Sequence, residues 1–348
     1  MSEKSQLTAL VIGGLVLGII GLLAVTFIPP LFEGNLVVDS YDAVLYENGT
    51  LVEHFTYDVK NSGEYRGLTR YWDVPLMVNE STMPHVQFIA LQNPQNTIGY
   101  LKDYRGFVVL PQKVSDPSAI SVISTHAKLN EIGIYKPTYY DVGKYSVIYS
   151  YIIHPVVNYD QYQTTLNLAL TGDNHIPYRA IRITIPAKNI EQVYAYPPSL
   201  TTEKSGDYYL ITGSAAANEI IAVEMVGNTQ GFSQINGFRT EVKDIQSRAF
   251  WGNFWYNVPY QLSDLLSWIA KAAVILVPLL FILIYYRYGR EKEFTVPAYF
   301  STLPSTALKP WQVNLLFKGD ALDFDEDGYY ATLLDLHRRK IISITEKV

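Results

Sequence analysis

No cysteine occurs among the 348 residues, so disulfide staples, thiolate metal sites and a cysteine nucleophile are all excluded. Charge is sparse: 17% of residues are charged against 48% hydrophobic, and the mean hydropathy lies just above zero, high for a wholly soluble chain. Basic excess is lacking as well. The formal net charge of −6 argues against a nucleic-acid binder, which needs a basic face to displace counterions from phosphates. Motifs for common chemistries are missing: there is no Gly-Lys-Ser/Thr phosphate loop, no H-E-x-x-H pair and no G-x-S-x-G elbow. The six histidines are scattered as His54, His85, His126, His154, His175 and His337, none at metal-ligand spacing. Ser124 with His126 and a remote aspartate is an arbitrary set without a motif. No catalytic residue, cofactor or metal is expected, and packing is the expected role of the histidines.

What is present begins with two apolar segments. Leu7 to Ile28 carries no charge and as a helix would reach roughly 33 Å, about one hydrocarbon core. The apolar core of a cleaved signal peptide is only about 7–15 residues, so residues 1–32 read as an uncleaved signal anchor. The second segment, 262–286, has Lys271 toward its outer end, where a long side chain can snorkel, and Pro278 inside it, a site for a kink. Trp251, Trp255 and Tyr256 before it and Trp268 within it are amphipathic rings suited to a headgroup interface, and Arg287 and Arg290 follow it. Basic residues favour the cytoplasmic side. Lys4 before the first segment, with Glu33, Asp39 and Asp42 after it, agrees. The expected layout is a two-pass protein of the cell membrane with both termini cytoplasmic and a large loop outside. Sequons at Asn48 and Asn79 both fall in that loop, which makes them candidate glycosylation sites. Gly14 and Gly18 place small residues one turn apart on the first helix, as close helix packing requires.

The outer segment, 33–261, reads as mainly β. Runs such as NLVVDSYDAVLY, TLVEHFTYDV, KYSVIYSYIIHP, AIRITIP and EIIAVEMV alternate with turn signals at about ten-residue spacing, the pattern of a sandwich. A division into two subdomains is best placed near 155–162. No helix is expected before the second span. The 28 tyrosines are concentrated here, and enrichment in half-buried strands explains them.

Several stretches carry a family resemblance. SYDAVLYENGTLVEHFTYDV, EYRGLTRYWDVPL, TGDNHIPYRAIRITIP and the region PSTALKPWQVNLLFKG through LLDLHRRKIISI are similar to the predicted membrane proteins grouped as domain of unknown function 2207, the archaeal members especially. The family's opening strand pair corresponds to Asn48–Glu53, with Asn48 where an aspartate is expected, and its Arg-rich strand to Arg66–Trp72. The resemblance implies an extracytoplasmic β domain, a membrane span and a cytoplasmic helical segment, and it implies no established activity.

The last segment, 287–348, is expected to form helix, helix and strand (the strand over IISIT), a small cytoplasmic α/β unit of winged-helix type. Asp323, Asp325, Asp327 and Gly328 match positions 1, 3, 5 and 6 of a calcium loop, but Leu334 stands where its bidentate glutamate belongs. Helix capping accounts for these aspartates instead. The function expected is that of a noncatalytic, membrane-anchored surface or accessory protein. Its partners would be the bilayer and a membrane or surface protein, or a second copy, with glycan as a further ligand and nucleic acid excluded. A transmembrane sensor and an unrecognised envelope hydrolase are the alternatives.

Overall fold

The period-two alternation of TLVEHFTYDV points Leu51, Glu53, Phe55, Tyr57 and Val59 to one side, and all five are buried. The computed structural model describes residues 3–28, 33–111, 116–172, 175–289, 308–318 and 326–345. Strands β1 (Leu36–Leu45) and β2 (Thr50–Val59) form the expected hairpin. Its turn is closed by Asn48, whose Oδ1 accepts the Thr50 N–H at 3.0 Å, and by Gly49 at a φ of +83°, a left-handed conformation that glycine adopts without penalty.

Around this hairpin the described strands form three sheets, where the sequence reading expects a sandwich. The further strands are β3 (Gly67–Tyr71), β4 (Leu76–Met77), β5 (His85–Gln92), β6 (Ile98–Lys102), β7 (Val108–Val109), β8 (Glu131–Tyr135) and β9 (Gly143–His154). They continue with β10 (Val156–Tyr159), β11 (Gln163–Ala169), β12 (Tyr178–Pro186), β13 (Ile190–Tyr196), β14 (Thr201–Ser205), β15 (Tyr208–Ala215), β16 (Ala222–Asn228) and β17 (Phe238–Glu241). An eight-stranded sheet runs β14-β15-β12-β1-β2-β9-β5-β4, a five-stranded sheet β13-β16-β11-β10-β17, and a four-stranded sheet β3-β8-β6-β7. Pairing is antiparallel except for β1 with β12, β4 with β5 and β10 with β17. At Pro155 the chain passes from the eight-stranded to the five-stranded sheet. One hydrophobic cluster nevertheless draws on all three sheets, with Tyr41 and Phe55, Leu68 and Ile132, and Leu166 and Met225 among its members.

Five α-helices accompany the strands among the described residues, α1 (Glu3–Phe27), α2 (Pro117–His126), α3 (Ile245–Ile284), α4 (Pro310–Lys318) and α5 (Glu326–Arg338), and a π-helical turn over Tyr285–Gly289 continues α3. Helix α2 overturns the expectation of no helix before the second span. Asp116 caps it by accepting the Ser118 N–H at 2.9 Å, Pro117 occupies its start, and Ala119 and Ile123 pack against Tyr100 and Tyr135. Ten residues are too short for their periodicity to stand out, but the cap and the proline were visible.

Among the described residues, α1 and α3 are the two helices long and apolar enough to cross a bilayer, over Ser5–Val25 and, with the π-helical turn that continues α3, Ile245–Gly289. The helix that carries the second apolar segment starts ahead of residue 262, because the chain from Ile245 onward is helical and continuous with that segment. Gly18 faces Val274 so closely that a Cβ on Gly18 would lie 2.5 Å from Val274 Cγ1, whereas Gly14 has nothing within 4 Å.

Residues from Ile284 onward belong to a second compact unit. In it α4 and α5 meet where Gly328 approaches Asn314, leaving a Cβ only 2.5 Å from Asn314 Nδ2. Close helix approach therefore accounts for Gly328. Asp320, Asp323 and Asp325 lie outside the described residues. The strand expected over IISIT does not form: residues 341–345 are irregular, with Ile341 and Ile344 exposed. A strand needs a partner ladder, and the described residues of this unit supply none.

Candidate functional site

The inward phase of β2 carries one acid, Glu53, between Leu51 and Phe55, and an uncompensated carboxylate there would be costly. Strand β3 supplies the partner. Arg70 lies 3% exposed and Glu53 0%, with Arg70 Nε 3.1 Å from Glu53 Oε2. The Tyr41 hydroxyl donates to Glu53 Oε1 at 2.6 Å, Arg70 Nη1 donates to the Tyr71 carbonyl, and the guanidinium lies 3.8 Å from the Trp72 ring centroid. Burial alone would push Arg70 toward neutrality, but the adjacent Glu53 carboxylate reverses this and keeps it charged. The two family segments thus converge on a closed ion pair within the core. The cluster has no solvent-exposed reactive group.

Above this pair, where β1, β3, β12 and the loops before β8 and β12 meet, lies a cleft of about 450 Å³. Arg70, Asp73, Lys128, Glu131, His175 and Tyr178 contribute to its lining. Glu131 is 5% exposed and accepts the Tyr100 hydroxyl at 2.7 Å and the Lys128 N–H at 3.3 Å. Burial pushes its carboxyl above the ordinary range, against the opposing pull of Tyr100. Both ring nitrogens of His175 face backbone carbonyls, of Ile176 at 2.6 Å and Glu219 at 2.5 Å. The Thr171 hydroxyl accepts the Ile221 N–H at 2.8 Å. The lining thus brings charges of both signs together, with Asp73 and Glu131 among the acids and Arg70 and Lys128 among the bases. Among the described residues no group of three or more histidine or acidic side chains is placed to hold a metal. Ser124 and His126 both lie on α2, and His126 Nδ1 is bound to the Val122 carbonyl.

A broader open groove of about 920 Å³ involves the β1–β2 turn, the loop after β12 and the β14–β15 turn. Tyr46 and Tyr208, each about half exposed, line it with Asn48, Lys188, Asp207 and Gln234. Asn48 is therefore at this rim, and Asn79 is exposed in the loop after β4. The structure does not bring the two sequons into one site.

At the start of α3 a polar junction joins helix to sheet. Asp160, after β10, accepts the Ile245 N–H at 3.0 Å, satisfying a helix-end donor that would otherwise lack a partner. Asn253, 3% exposed, donates to Glu224 Oε2 at 2.7 Å and accepts the Tyr196 hydroxyl at 2.5 Å. Val226 packs on Ile245 and Ala249 beside it. Among the residues read as interface anchors, Trp251, Trp255, Tyr256 and Trp268 are all exposed, and the Tyr256 ring also lies edge-on to Tyr196 at 4.9 Å. Arg287 lies over Tyr288 at 5.5 Å, and Arg290 lies outside the described residues. Glu53, Glu131, Glu224 and Asn253 were missed as site residues. For Glu53 the signal was its phase within β2, but the others depend on contacts distant in sequence.

His85 and His154, opposite one another on β5 and β9, stack with centroids 4.4 Å apart, and both are buried. Each Nδ1 is tied to a backbone carbonyl, of Met83 at 2.8 Å and Asn236 at 2.9 Å, while the buried His85 Nε2 has no hydrogen-bond partner. Burial chiefly, and then His154, depress the His85 pKa, against Met83 and Glu80.

A family model described as predicted membrane protein (DUF2207), N-terminal domain, matches residues 37–227. No curated protein matches the chain. Solved structures that overlay on it include the M1 zinc metallopeptidase from Deinococcus radiodurans and a mutant of that enzyme bound to a Tyr-Ser-Ala substrate, each at 10% identity and a TM-score of 0.30. These overlays cover 56% of this chain and 42% of the peptidase chain, less than half of the enzyme's length. Likeness at that level carries no argument about fold or activity.

Proposed function

The chain belongs to the family of predicted membrane proteins defined by domain of unknown function 2207, and from that premise we propose a noncatalytic surface or accessory protein whose β domain binds other proteins outside the cell. In this reading α1 and α3 cross the cell membrane, both termini are cytoplasmic, and Asn48 and Asn79 face the side where glycans are added. The observation that carries the binding reading is the mixed-charge cleft over the Glu53–Arg70 pair, with Tyr71 and Leu129 at its lining exposed by 43% and 50%. Exposed apolar groups around a polar cleft suit a protein partner.

The test is mild-detergent extraction through a tag, comparing the natural chain with Tyr71→Ala and Leu129→Asp forms. A stoichiometric partner that the natural chain retains and both variants lose is the expected result. Equal retention by all three, or a lone species from the natural chain, removes the cleft from the account.

A second reading, a transmembrane sensor, is favoured by the α3 junction. Asn253 and Asp160 join the five-stranded sheet to a helix that continues into the apolar segment without an intervening flexible linker. A ligand that shifts the sheet would therefore move the span.

A further inference from the structure

Helix α3 has two unlike faces before its apolar stretch begins. Ile245, Ala249 and Asn253, spaced four apart, fall on one face and are 2%, 5% and 3% exposed against the β domain. Phe250, Trp251, Phe254 and Trp255 fall on the other and are 53%, 52%, 44% and 65% exposed. These rings form a continuous ladder, with neighbouring centroids 5.3–5.6 Å apart from Phe250 through Trp251 and Phe254 to Trp255. Such a surface normally has a covering.

The same helix indicates what covers it. Its apolar span follows directly, so the ladder is continuous with a lipid-facing surface, and aromatic rings are the side chains that settle at the headgroup level. Arg248, exposed in the same turn, can reach phosphates. Height is the difficulty. From Phe250 to Leu262 a straight helix standing on the membrane would rise roughly 18 Å, whereas the headgroup layer is only about 5–8 Å deep on each side. Pro259 lies inside the helix between ladder and span. It lacks an N–H, so the Trp255 carbonyl loses its helical partner, and its ring crowds that carbonyl, the usual cause of a bend.

We propose that the first turns of α3 form a membrane-surface segment, with the aromatic ladder seated in the lipid headgroup layer, the opposite face carrying the five-stranded sheet, and the bend to the span at Pro259. The β domain is then held against the bilayer in one orientation. This rests on the reading of α3 as a membrane span.

Because the chain has no cysteine, single-cysteine spin labels test the proposal on the full chain reconstituted into phosphatidylcholine–phosphatidylglycerol vesicles. Labels at Phe250→Cys, Phe254→Cys and Trp255→Cys are compared with Leu280→Cys in the span and Tyr162→Cys on the β domain. The expected result is an oxygen-to-nickel-chelate accessibility ratio at the ladder several-fold above that at Tyr162→Cys and below that at Leu280→Cys. Ladder ratios equal to the Tyr162→Cys ratio overturn the proposal while leaving the span intact. Disulfide-linked dimers through Phe254→Cys overturn it in favour of a second copy as the covering. A water-like ratio at Leu280→Cys overturns the span reading itself, and the proposal with it.

Discussion

At the scale of single residues, the Glu53–Arg70 pair makes the sharpest demand on the sequence. Removing one partner strands a buried charge, and Arg70→Met is expected to destabilise the full chain by about 3–5 kcal/mol. Replacing both, as Glu53→Leu with Arg70→Met, should recover much of that loss, and thermal unfolding in detergent compares the two. The stacked histidines predict a pH response. Above the ordinary value of 6.5 His85 is neutral whether folded or not. Below it the unfolded chain takes up a proton that the folded ring resists, so stability falls as pH drops from 6.5 toward the depressed folded value. His85→Phe should flatten that slope in melting curves taken at successive pH values. The Glu53 side of the pair was legible in LVEHFTYDV, where an acid shares the phase of the apolar set, and LTRYW repeats the pattern with Leu68, Arg70 and Trp72. Nothing local in the sequence announces that His85 stands opposite His154.

At the scale of elements, the same limit separates what the sequence revealed from what it hid. The β1–β2 hairpin was legible because its alternation and its Asn-Gly turn are local. Helix α2 was overlooked, since strand-like composition around it outweighed a ten-residue pattern. The early start of α3 was hidden because Phe250 to Tyr260 reads equally as an interface belt or as helix. Two tests address packing between elements. Asn253→Leu deprives the Glu224 carboxylate and the Tyr196 hydroxyl of a buried partner and should cost about 1–3 kcal/mol, with faster proteolysis between β17 and α3 as its sign. In the α1–α3 pair, Gly18→Val must displace the stiff β-branched Val274 and should lower the melting temperature, with Val274→Ala restoring it. Gly14→Val, where the space is open, should have little effect.

For the whole molecule, apolar run length and ring placement indicated two spans flanking a β domain, and the family segments agreed. Sheet order was not legible. Nothing in the sequence of β12 dictates that it lies parallel to β1 across more than a hundred residues, because register between distant strands is settled by packing. The proposed topology puts the β domain outside and the helical unit inside, with α1 and α3 as the spans. Labelling with a membrane-impermeant thiol reagent in intact cells tests it most directly, using Tyr162→Cys on the β domain and Tyr330→Cys on α5, both exposed positions. Tyr162→Cys is expected to be labelled at once and Tyr330→Cys only after the cells are permeabilised. Labelling of Tyr330→Cys in intact cells, or protection of Tyr162→Cys, would contradict it.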